Sequence, residues 1–158
     1  PELTPQMHLP FVQDMIDPIL EEENFHYLIL TNSDIAVVQP FYVLAATTIR
    51  KHGFDSFTVN RRSISKGYNN NTNSLTNDTT PWTSNDISYI ERTEIDKFKY
   101  HPGVDCFVMR SDVLRSISLG DLFVGHPPWA RVLQRILADH MAENYHLYKS
   151  DLGWTYHV

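Results

Sequence analysis

Residues 9–60 alternate helix-length amphipathic stretches with short apolar runs, and that alternation restricts the fold more than any other feature of the chain. "LPFVQDMIDPILEEEN" (9–24) carries apolar pairs at Phe11/Val12, Met15/Ile16 and Ile19/Leu20, a spacing that predicts helix. Pro18 is expected to interrupt that helix, or to open a second turn capped by Asp17 with Glu21 following. "HYLILT" (26–31) reads as a short buried strand. Pro40 fits the first position of a second helix that places Phe41, Leu44, Ala45, Thr48 and Ile49 on one face, with Gly53 as its stop. "DSFTVN" (55–60) reads as the next strand. Helix-length crossovers between short strands predict an α/β fold, a mixed and mainly parallel sheet flanked by helices. Ligands of such sheets bind beyond the carboxyl ends of the strands. Asn32 and Asp34 follow the first strand, and Asn60, Arg61 and Arg62 close the second, so both strands deliver polar groups to one edge.

The second half is organised less regularly. "GYNNNTNSLTNDTTPWTSND" (67–86) is rich in Asn, Thr and Ser and poor in apolar residues, which predicts a flexible surface insertion. Its triplets Asn70-Asn71-Thr72 and Asn77-Asp78-Thr79 have the glycosylation pattern, although chance produces such triplets in so Asn-rich a tract. "HPGVDCFVMR" (101–110) reads as a turn and a strand, followed by a short helix capped by Ser111 or Asp112. "LGDLFVGHPP" is a loop. "WARVLQRILADHM" (129–141) is the clearest helix, with Trp129, Val132, Leu133, Ile136, Leu137 and Met141 as its buried stripe. The terminal "HLYKSDLGWTYHV" reads as a strand pair. No internal repeat is present, and 158 residues are most economically one domain spanning 1–158.

Composition narrows the function. With 13 basic against 19 acidic residues the formal charge is −6, which argues against nucleic acid as a partner, since phosphate backbones select a basic face. No apolar run approaches the ~20 residues of a membrane span; a soluble domain of the cytoplasm or the secretory-pathway lumen is expected. The single cysteine, Cys106, excludes an internal disulfide and a cysteine-cluster zinc site; inside "DCFVM" it reads as a buried thiol. There is no Gly-rich phosphate loop, no HExxH pair and no GxSxG elbow, which lowers the expectation of P-loop hydrolases, zinc peptidases and serine esterases.

The polar points then carry the argument. Asn32 and Asp34, two apart at a strand end, can point the same way. One amide oxygen and one carboxylate suit a hard divalent cation that keeps waters and completes its shell with substrate phosphates, Mg²⁺ or Mn²⁺. The alternative is a turn in which Asn32 and Asp34 cap the following segment, as these residue types often do. Among the eight histidines, His140 reads as a packed or partly exposed helix residue.

"TNSDI" resembles the acidic Asp-x-Asp element of glycosyltransferases with the GT-A, nucleotide-diphospho-sugar transferase fold. "NRRSISK" (60–66), "HPGVDCFVMR" (101–110), "GHPPWARVLQRIL" (125–137) and "TYHV" (155–158) occur in the order seen in a group of proteins related to those enzymes. The resemblance implies a GT-A-like, Rossmann-like fold and a metal-dependent transfer of sugar from a nucleotide-sugar donor to a glycan or other hydroxyl acceptor. It implies Asp34 as the principal ligand of Mn²⁺ or Mg²⁺, with Asn32 in the first acidic position and His157 as the late histidine that completes the site. Asn32 departs from the pattern, because its amide oxygen is uncharged and the metal should lean more on bound nucleotide. Asp105 would take the proton from the attacking hydroxyl. Arg61 or Arg62 would face the diphosphate, because guanidinium pairs well with phosphate. Asn60, His101, Gly103 and His126 would line the substrate side.

In that fold, units holding the nucleotide base precede the Asp-x-Asp strand, and the chain before His26 reads as helix instead. The N-terminal base-binding part is therefore expected to be lacking, as in a fragment of a longer protein or a reduced relative. The latter suggests an alternative function, a non-catalytic carbohydrate- or partner-binding module on the same scaffold. A metal-dependent phosphoester hydrolase would use the same carboxylates without a sugar acceptor.

Overall fold

A computed structural model describes residues 9–22, 24–63, 99–125, 128–141, 144–148 and 153–157. The predicted insertion at 67–86, with its two triplets, and His126 lie outside the described residues. Among the described residues four helices, α1 (Val12–Leu20), α2 (Phe41–His52), α3 (Ser111–Ser116) and α4 (Trp129–Met141), accompany six strands. The strands are β1 (Tyr27–Thr31), β2 (Ile35–Val37), β3 (Ser56–Ser63), β4 (Lys99–Arg110), β5 (Tyr145–Tyr148) and β6 (Thr155–His157).

The protein is mixed α/β, but its sheet is mostly antiparallel, not mainly parallel. The order is β1-β4-β3-β6-β2, with β5 also on β3. Among the described residues the pairs β1·β4, β3·β4 and β2·β6 are antiparallel, and β3·β5 and β3·β6 are parallel. The departure has a local cause. Between the strands expected to be parallel neighbours, β1 and β3, the long β4 inserts and pairs with both. Being antiparallel to the same strand, β1 and β3 still run in the same direction, so their carboxyl ends share one end of the sheet. The terminal strands do not pair with each other either: β5 follows Ser56–Val59 and β6 follows Arg62–Ser63 along the same edge of β3.

The β1–β2 link curls the sheet. These strands stand at opposite ends of the order, about 19 Å apart if four ~4.8 Å steps lay flat. Yet only Asn32, Ser33 and Asp34 separate Thr31 from Ile35, a reach of about 14 Å at full extension. The sheet edges must therefore bend toward each other at the end where those three residues lie.

Two cores flank the sheet. One holds Val12 and Ile16 of α1, Val113 and Leu114 of α3, Leu133, Leu137 and Met141 of α4, and Phe107 and Met109 of β4. The other sets Phe41 and Ala45 of α2 against Phe57, Val59, Cys106, Val108 and Tyr156. Alternation along β4 feeds both, sending Phe107 and Met109 to one face and Cys106 and Val108 to the other. Helix α2 has Pro40 just outside its first turn and ends on Gly53, whose φ of 67° is the left-handed geometry of a helix stop. The helix α1 runs through Pro18 and ends two residues later, so the missing N–H removes one bond near the helix end and does not break it. In α4 the stripe is narrower than the spacing predicts, because Val132 is exposed.

Candidate functional site

The directions of the strands determine the site. The carboxyl ends of β1, β3 and β6, the start of β2 and the first half of β4 all meet at one end of the sheet. Asn32 and Asp34 belong to the β1–β2 link, Asn60 to Arg62 to the end of β3, Gly103 and Asp105 to β4, and His157 to the end of β6.

Strand β4 is irregular there. Val59 pairs with Cys106, but Asn60 pairs with Val104 and Arg62 with Tyr100. Asp105 is thus one extra residue, and His101-Pro102-Gly103 together stand opposite Arg61 alone. Such bulges bend a strand and re-aim its side chains. They also admit Pro102, which has no N–H to give a regular ladder. The expected turn at "HPG" is therefore an interruption inside a strand that extends back to Lys99. The side chain of His101 lies outside the described residues.

The re-aimed Asp105, 7% exposed, is grasped from two strands. Asn32 Nδ2 donates to Asp105 Oδ1 at 2.9 Å, and the Asn32 backbone N–H donates to the Asp105 carbonyl at 3.3 Å. Arg61 Nη1 lies 3.1 Å from Asp105 Oδ2. Both carboxylate oxygens thus face donors. Asn32 acts first as a clasp between β1 and β4, and the Asn32 carbonyl also accepts from Ile35 N–H at 3.2 Å, tightening the link.

Asp34 and His157 meet a short distance along the chain from that clasp. His157 Nε2 is 3.0 Å from Asp34 Oδ2, across 123 residues of sequence. The antiparallel register of Ile35 with His157 places them together. Both side chains are accessible, 48% exposed for Asp34 and 40% for His157. Two ligand atoms in adjacent positions of an octahedral ion, each about 2.1 Å from it, lie about 3.0 Å apart. That separation is also an ordinary hydrogen-bond length, so to share one hard divalent cation both side chains would turn from each other toward the ion. Among the described residues no group of three or more His, Cys, Asp or Glu side chains could hold a metal ion. The remaining positions would fall to water, substrate oxygens and the Asn32 amide.

The two arginines divide. Arg61 goes to Asp105, whereas the Arg62 guanidinium packs against Gly153. A Cβ on Gly153 would lie 3.4 Å from Arg62 Cζ and 3.2 Å from the Tyr156 hydroxyl, and its φ is +60°. Gly153 and Tyr156 are the site residues that the sequence reading misses. A glycine two residues before the last strand was the available signal. Asn60 is fixed from behind by Thr155 Oγ1, which donates to its carbonyl at 3.1 Å.

Beneath the site, burial pushes the Cys106 thiol up to about 12, and the neighbouring Asp105 adds to the shift. This thiol is a packing group, not a nucleophile. Among the described residues no helix is long and apolar enough to cross a membrane. Compared with known protein families, curated proteins and solved structures, the chain finds no match.

Proposed function

We propose that this end of the sheet is a nucleotide-sugar site of the GT-A glycosyltransferase type, in which a divalent cation, Mn²⁺ or Mg²⁺, is held by Asp34 and His157 with Asn32 beside them. The observation that carries the reading is the convergence of Asp34 and His157, 123 residues apart in sequence, at 3.0 Å on an accessible strand end. When bound, the cation would neutralise charge on a departing diphosphate. The protein's own groups supply the rest. Asp34 and His157 fix the position of the diphosphate, the link residues Asn32 to Asp34 hold that pair to the sheet, and Arg61 provides positive charge at its border.

A second reading is favoured by one specific observation. Asp105, the base of the transfer, has Arg61 and Asn32 on its two oxygens, and a general base needs a free oxygen within reach of the acceptor proton. A non-catalytic carbohydrate- or partner-binding module accommodates that arrangement without change.

Calorimetric titration of nucleoside diphosphates with and without Mn²⁺ tests the proposal. Metal-dependent binding that weakens at least about tenfold in Asp34→Ala and in His157→Ala, with folding intact, is expected. Binding that ignores both the metal and these substitutions would contradict it. Glycan binding that survives Asp34→Ala without metal would select the module. Phosphate release from simple phosphoesters with no acceptor would select a hydrolase.

A further inference from the structure

Helix α1 and the loop 117–121 enclose a cleft of about 440 Å³ that opens to solvent and is lined by Phe11, Gln13, Asp14, Ile117, Ser118 and Asp121, with Gly120 at its edge. That volume lies within the range of ~300–1,000 Å³ common to ligand pockets. The walls are tied together by the protein itself. Val12 N–H donates to the Leu122 carbonyl at 2.7 Å and Val124 N–H to the Pro10 carbonyl at 3.0 Å. The Phe11 and Phe123 rings stack between those bonds, with centroids 4.4 Å apart. On the loop side Leu119 N–H donates to Gln13 Oε1 at 3.0 Å, and Gln13 Nε2 donates to Asp17 Oδ1. Walls held in this way lose little conformational freedom when a ligand enters.

The charge around the cleft is of one sign. Helix α1 contains no basic residue, and Asp14, Asp17, Glu21, Glu22 and Asp121 are all exposed. None of these carboxylates has an ion pair among the described residues. Arg115 of α3 directs its guanidinium to the carbonyls of Leu20 and Glu22 instead. Exposed apolar surface gathers at the same place. Of the seven large apolar side chains exposed among the described residues, four are Leu9, Met15, Ile19 and Phe123, on α1, just before it, or on the bridge that Phe123 forms with Phe11. Met15 and Ile19, four residues apart, share one side of the helix.

Carboxylates interleaved with exposed apolar groups complement a partner that is cationic and apolar at once. A metal ion would use only the charge, and among the described residues no group of three His, Cys, Asp or Glu side chains is available to hold one. A second copy of the chain is disfavoured, because each copy carries a formal charge of −6. Arginine suits the cleft better than lysine, since its planar fork reaches two carboxylates and its face stacks on an aromatic wall.

We infer that α1 and its cleft are a docking surface for a basic amphipathic segment of a partner protein. One arginine of the segment is held by Asp14 and Asp121 against Phe11, and its apolar side chains lie on Met15 and Ile19. The inference is independent of the nucleotide-sugar reading.

The test uses the full chain and a blocked synthetic peptide alternating arginine and leucine, titrated by ¹H–¹⁵N NMR without metal or nucleotide. The peptide is expected to shift the backbone signals of Asp14, Ser118 and Asp121, and to bind more weakly as salt is raised. Replacing its arginines by citrulline, which keeps the shape and removes the charge, is expected to abolish binding. Asp14→Asn and Asp121→Asn should each weaken the peptide about threefold and together about tenfold, the scale of accessible charge pairs, with the melting temperature unchanged. Asp139→Asn, an exposed carboxylate on α4, should leave binding as it is. Shifts that fall elsewhere, binding that survives citrulline or the double substitution, or an equal loss in Asp139→Asn would overturn the inference. So would a double variant that no longer folds, because the carboxylates would then serve the structure. Sedimentation of the protein alone completes the test. A monomer at all concentrations is expected, and self-association that Asp14→Asn with Asp121→Asn abolishes would give the surface to a second copy and overturn the assignment of the partner.

Discussion

The two halves of β4 are one strand under two sets of rules. From Cys106 to Met109 every residue is completely buried, and the register with β1 and β3 runs without a break. From His101 to Asp105 the register with β3 slips twice, and a charged side chain is re-aimed to meet Asn32 and Arg61. The first half holds the two cores together, since its side chains feed both faces. The second half gives up ladder regularity and gathers polar groups from β1 and β3. The contrast teaches that stability and site are separated along a single strand, so each can be disturbed with limited effect on the other.

The largest disturbance should come from the regular half. Phe107, fully buried and tilted against Trp129 at 5.9 Å, is expected on conversion to Ala to cost about 3–5 kcal/mol. Urea denaturation followed by circular dichroism measures it, and a cost below that of any change in the bulged half would break the comparison. Next comes the ion pair of the bulged half. Asp105→Ala takes the carboxylate away from the Arg61 guanidinium and is expected to cost about 2–3 kcal/mol. The double change with Arg61→Met should cost less than the two single changes added together, since both single changes break the same contact. Additive costs would mean that the pair contributes nothing specific.

Cys106 marks the border between the halves and supplies a pH test. Its native thiol lies near 12, against 9.0 for an unperturbed one, so the unfolded chain ionises first. The thiol's contribution is intact below pH 9 and is lost as the pH rises from 9 toward 12, amounting to about 1.4 kcal/mol by pH 10. Cys106→Val should remove that part of the alkaline slope in denaturation curves. An unchanged slope would show that the thiol is not closed off by packing. The smallest effect on stability belongs to the accessible link. Asp34→Ala breaks the contact with His157, both side chains being 40% exposed or more, and should change stability by less than about 0.5 kcal/mol.

The sequence made the elements legible and the pairing much less so. The spacing of apolar residues in 129–141 placed α4 where it is found, and Gly53 ended α2, because each depends on local geometry alone. The sheet was harder. A βαβ reading of 26–60 assumes that sequential strands become neighbours, and β4, arriving later in the chain, took the place between β1 and β3. No local pattern in residues 26–60 could announce that. The direction of β1 and β3 survived the change, which is why the polar residues at their ends still share one end of the sheet. "HPG" was misread for a related reason. Pro and Gly signal a turn when a strand is expected to be regular, yet they equally suit a strand that bulges. The Asn32 clasp on Asp105 and the packing of Arg62 on Gly153 depend on register, which spacing does not reveal.

The central claim, that Asp34 and His157 share one cation at this strand end, is most directly tested by paramagnetic broadening. Substoichiometric Mn²⁺ would be added to ¹⁵N-labelled protein in the presence of a nucleoside diphosphate. The imidazole signals of His157 and the side-chain amide signals of Asn32 are expected to broaden first, and Asp34→Ala should abolish the effect while the rest of the spectrum is retained. Broadening that begins elsewhere, or that persists in Asp34→Ala, would contradict the account.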